Sequence, residues 1–118
     1  MDLKVTLTSY TEAEHLKNSL ITISQLLVAV PSYPENERPG AARMLTHLLG
    51  AVRGDAQRAY TATGEVPFQR AVESLSEAIS LTESRDFVQA SDRVGRAVSQ
   101  ATTVAQGAWG QLSSNGLV

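Results

Sequence analysis

The chain contains no cysteine. That absence excludes disulfides, thiolate zinc sites and cysteine nucleophiles. Histidine is scarce, with only His15 and His47, so a metal site would need mostly carboxylates. Aromatic residues make up 5% of the sequence, including a single tryptophan, Trp109. Charge of one sign is also lacking. Ten basic residues against 12 acidic ones leave a net charge of −2, too small for a generic nucleic-acid coat. No long hydrophobic run occurs. The greasiest stretch, Leu16–Val30, carries Asn18, Ser19, Thr22, Ser24 and Gln25. A spanning helix needs about 20 mostly apolar residues, so no membrane association is expected. The opening MDLKVTLTSY has no basic segment followed by an apolar one, and the expected location is the cytoplasm.

What is present suits one ordinary domain. The chain has 118 residues, 42% of them hydrophobic, enough to build a core. Four helical patterns are separated by proline and glycine punctuation. The first runs from about Glu12 to Val30, with Thr11 and Glu14 as a capping box. Its stripe is Ala13, Leu16, Leu20, Ile23, Leu27 and Val30. Three of the four prolines fall in the loop PSYPENERPG, residues 31–40. The second helix extends from Pro39 or Gly40 to Tyr60, with Ala41, Leu45, Leu48, Val52, Ala56 and Ala59 inward and Leu49 and Tyr60 beside them.

The third helix runs from Pro67 to Thr82 on Phe68, Ala71, Val72, Leu75, Ala78, Ile79 and Thr82. Ser84 or Asp86 caps the fourth, which reaches Leu112 on Phe87, Ala90, Val94, Ala97, Ala101, Val104 and Ala108. Its many alanines predict tight packing and leave little room for a cofactor; none is expected. Short connections force antiparallel neighbours, so the predicted fold is all-α: an up-down-up-down four-helix bundle within a single domain, residues 1–118. Leu3, Val5 and Leu7 alternate with Lys4 and Thr6, which predicts a short extended N-terminal arm over residues 1–10. The tail 113–118 is expected to fray.

No residue set announces catalysis. There is no GxSxG, P-loop or GxGxxG motif. Glu12 and His15 form one Glu-x-x-His pair, whereas carboxylate-bridged metal bundles use two with two further glutamates. The expectation is therefore a chain that is not an enzyme and holds no metal, with His15 or His47 as the residues an enzymatic alternative would use.

Charge is distributed more tellingly. Residues 38–70 carry Arg38, Arg43, Arg53, Arg58 and Arg70 against Asp55 and Glu65, while both flanking segments are acidic. On a wheel of the second helix, Arg43, His47, Gly50, Gly54 and Arg58 fall opposite the core stripe. Each exposed glycine costs about 1 kcal/mol against alanine in a helix. Glycines four residues apart also let another backbone or a flat ligand approach closely. This surface is a candidate contact face for a partner helix, with an anion or a nucleic-acid phosphate as the alternative occupant.

On the first helix, Ile21 and Val28 lie off the core stripe beside Lys17 and Ser24. These four residues form a candidate dimer seam. The functional expectation is a non-enzymatic protein–protein interaction module (an adaptor, small chaperone or regulatory subunit) that self-associates as a homodimer. The alternative is anion or nucleic-acid binding through the arginine-rich face of the second helix. Nucleic acid is not the expected partner.

Overall fold

The computed structural model describes residues 2–117 and contains four antiparallel helices. They are α1 (Leu3–Ala29), α2 (Arg38–Thr63), α3 (Val66–Glu83) and α4 (Phe87–Ser114), with a single 3-10 turn at Val30–Ser32 after α1. The chain folds as a four-helix bundle. Its most extensive seam joins α1 to α4, followed by α3 to α4 and α2 to α3, and the α1–α2 seam is the thinnest. The envelope is long and narrow, 54 × 22 × 17 Å.

The expected extended arm is helical. Asp2 stands at the N-cap of α1, its carboxylate accepting from the amides of Lys4 (3.0 Å) and Val5 (3.4 Å). A lone strand has no partner for its backbone polar groups, whereas two further helical turns satisfy them internally. The period-two residues also turn out not to be the buried ones. Leu3 and Leu7 are 41% and 55% exposed, and Thr6 and Ser9 point inward at helical spacing. Helix α4 runs to Ser114 and closes with Gly116 in the left-handed region (φ 71°), its amide donating to the carbonyl of Ser113 while that of Leu117 donates to Leu112. This Schellman closure occupies carbonyls that would otherwise be unpaired. Met1 of the arm and Val118 of the tail lie outside the described residues.

The core stripes of α1 and α4 are buried as their spacing predicts, joined on α4 by Ala105 and Leu112. On α3, Phe68, Ala71, Leu75, Ala78 and Thr82 are buried, and Val72 and Ile79 pack against the core from its edge. Helix α2 departs by one residue. Leu49 is fully buried and Leu48 is 40% exposed; Ala42 is inside and Ala41 only partly so. Adjacent leucines lie 100° apart on a helix, so the wheel puts both near one edge, and packing against α3 selects between them.

Two connections carry left-handed residues. Gly64 (φ 71°) ends α2, its amide donating to Tyr60 O at 2.7 Å. At the α3–α4 connection the residue is Arg85 (φ 65°), the single described non-glycine residue with positive φ. The amide of Arg85 donates to Thr82 O and that of Asp86 to Leu81 O, and the Asp86 side chain then caps α4 through Gln89 N. The loop of residues 31–37 is held by Arg38, whose guanidinium donates to Tyr33 O (2.9 Å) and Pro31 O (3.0 Å).

Candidate functional site: two exposed faces

The five α2 residues all lie on the outward side of the bundle, with Arg43, His47 and Arg58 exposed and the two glycines half-buried between them. A Cβ at Gly50 would meet nothing within 4 Å, and one at Gly54 would lie 3.5 Å from the Arg58 Nη1 atom. The glycines thus admit no close approach of this chain to itself; the floor they form is open.

The basic residues of this face divide. Arg58 is ion-paired with Asp55 and leans toward α1, where Glu12 and His15 line the same shallow groove. Asp55 is thereby engaged by a cation, and among the described residues no group of three or more His, Asp or Glu is arranged to hold a metal ion. Arg43 and His47 lean the other way. They border an open depression with Thr46, Glu83 and Arg85, so the α3–α4 turn contributes to this surface. Sequence reasoning missed Arg85, because nothing local shows which helix its turn abuts.

The second face lies along α1 and α4. Ile21 and Val28 are exposed, at 43% and 60%. Lys17 is ion-paired with Glu14 at 3.0 Å. Ser24 points across the seam rather than outward, its hydroxyl hydrogen-bonded to that of Ser91 on α4 at 2.9 Å. That bond sets an antiparallel register in which Val28 and Val88 stand at the same level. Val88 is 75% exposed. Toward the other end, Tyr10 packs on Trp109 with ring centroids 5.7 Å apart, and Trp109 remains 47% exposed. Leu7 continues the strip on α1, one turn before Tyr10.

The face therefore has an apolar patch at each end and a mutually neutralising ion pair, Glu14 with Lys17, between them. The sequence showed only its α1 half. Leu7 and Tyr10 were hidden by the extended reading of residues 1–10. Val88 and Trp109 become part of the face only once α4 is known to lie beside α1.

Among the described residues no helix is long and apolar enough to cross a membrane. No family model matches this chain, and comparison with curated proteins and with solved structures gives no match either.

Proposed function

We propose that this chain is a non-enzymatic interaction module of the cytoplasm, built to pair with a second copy of itself across the α1–α4 face and to serve as an adaptor, small chaperone or regulatory subunit. The observation that carries this reading is the alignment of Leu7, Ile21, Val28, Val88 and Trp109, each at least 43% exposed, along one seam. Scattered exposed apolar residues need no explanation, but apolar patches at both ends of one shared face do.

Size and charge favour a second copy as the occupant. Two helices about 40 Å long with axes about 9 Å apart present a face of about 800 Å² once side chains are included. A standard protein interface buries roughly 800 Å² on each partner. Glu14 and Lys17, between the two apolar ends, are paired with each other. Two copies related by a two-fold axis thus bring no net like charge together, and apolar ends meet apolar ends.

Light scattering during size exclusion tests the reading. The expected mass is twice 12.6 kDa, and Ile21→Glu is expected to return it to 12.6 kDa with helicity unchanged. Wild-type protein that stays monomeric at about 100 μM, a concentration at which even a weak specific dimer would populate, would overturn self-association.

A further inference from the structure

The basic residues near the start of α2 lie apart from the α1–α4 face and differ in how they are engaged. Three of the eight arginines (Arg58, Arg93 and Arg96) are paired with carboxylates. Arg38 is bound to two backbone carbonyls and Arg53 to the hydroxyl of Ser76. Among the described residues Arg43, Arg70 and Arg85 make no hydrogen bond or ion pair through their side chains, and two of them, Arg43 and Arg85, border one depression of about 330 Å³. They reach it from different elements, Arg43 from the second turn of α2 and Arg85 from the α3–α4 turn. His47 lies one helical turn beyond Arg43 on the same wall. A second hollow adjoins on the far side of Arg85 and is bordered by Arg38 and Glu35.

The backbone at Arg85 adds a separate point. Its left-handed φ of 65° is one that glycine adopts with less strain. The turn itself does not call for an arginine. What arginine adds there is a guanidinium beside Arg43 and His47.

We infer that the depression between the start of α2 and the α3–α4 turn binds the phosphate group of a small phosphorylated molecule, held by Arg43 and Arg85 with His47 at its side. Planar guanidinium forks match a tetrahedral oxyanion with paired hydrogen bonds. Glu83 is the one carboxylate on the rim, and it opposes binding. A hollow this small takes a phosphate with a compact substituent. An extended polyanion would run onto an acidic protein, whose first 37 residues carry five carboxylates against two lysines.

The test is an NMR titration of the full-length chain with inorganic phosphate and with phenyl phosphate, against chloride at matched ionic strength. Saturable shifts of the Arg43, Thr46 and Arg85 amides are expected from both phosphates. Arg85→Gly relieves the backbone and removes the guanidinium, so it should fold at least as well as wild type and bind about tenfold more weakly, the usual scale for one charge-assisted contact. Glu83→Gln should bind about threefold more tightly, as expected for removing one neighbouring like charge near a surface. Arg70→Ala, outside the depression, should bind as wild type. Three results would overturn the inference: an Arg85→Gly variant that binds phosphate unchanged, no saturable shift up to about 20 mM phosphate, or a short DNA duplex that outcompetes phenyl phosphate at the same amides.

Discussion

At the scale of single residues, two side chains sit against local preference. Arg85 holds a left-handed conformation that costs a residue with a Cβ on the order of 1 kcal/mol relative to glycine. Arg85→Gly is therefore expected to raise the melting temperature by about 3–5 °C for a domain of this size, measured by calorimetry. Ser9 is the other. Of the three buried polar side chains among the described residues, those of Thr6 and Thr82 donate to the carbonyl four residues earlier, Asp2 O and Ala78 O. Ser9 is 1% exposed and its hydroxyl has no partner among the described residues. An unsatisfied buried hydroxyl costs about 1–3 kcal/mol, so Ser9→Ala should stabilise the fold by about 1 kcal/mol in urea denaturation. A loss of stability would show that the hydroxyl is bonded in solution. Neither feature was legible beforehand. The sequence places Ser9 in a period-two segment and Arg85 in an unspecified turn, because burial and φ depend on what packs alongside.

At the scale of elements, the helices follow from patterns that span only a few residues. Apolar spacing of three and four residues located the core stripes of α1, α3 and α4, and Pro31, Pro34, Gly64 and Pro67 set α2 apart from its neighbours. Two errors arose where local signals conflict. Leu3, Val5 and Leu7 alternate, but Asp2 is a good cap and the helix wins by satisfying its own backbone. The choice of Leu49 over Leu48 belongs to the neighbouring helix. Gly50 gives an element-scale prediction. Its Cβ position is open, so Gly50→Ala should stabilise α2 by about 1 kcal/mol in thermal unfolding. A destabilised variant would mean that something packs closely on that face in solution, as a docked helix would.

For the whole molecule, the decisive arrangement is the α1–α4 seam, the broadest in the bundle. Since Glu14 and Lys17 neutralise each other in its middle, association should rest on apolar burial. The mass at 50 mM and at 500 mM salt, by light scattering, should therefore agree, because screening acts only weakly on a neutral interface. A dimer that dissociates as salt rises would place the contact on charged surface, with the α2 arginines as the first place to look.

Helix number, helix order and most of the core were written in local terms. A repeat of 3.6 residues and a proline or glycine at a boundary act within a few positions, and they need no knowledge of the rest of the chain. The candidate residues of α2 and the exposed Ile21 and Val28 of α1 could be read in the same way, since a wheel identifies what faces away from a stripe. The wheel does not say what stands beside that face. Ser24 meeting Ser91, Trp109 beside Tyr10 and Arg85 opposite Arg43 join residues far apart in sequence. Those pairings were set by how four helices share one core, a condition that no local segment of the chain can encode alone.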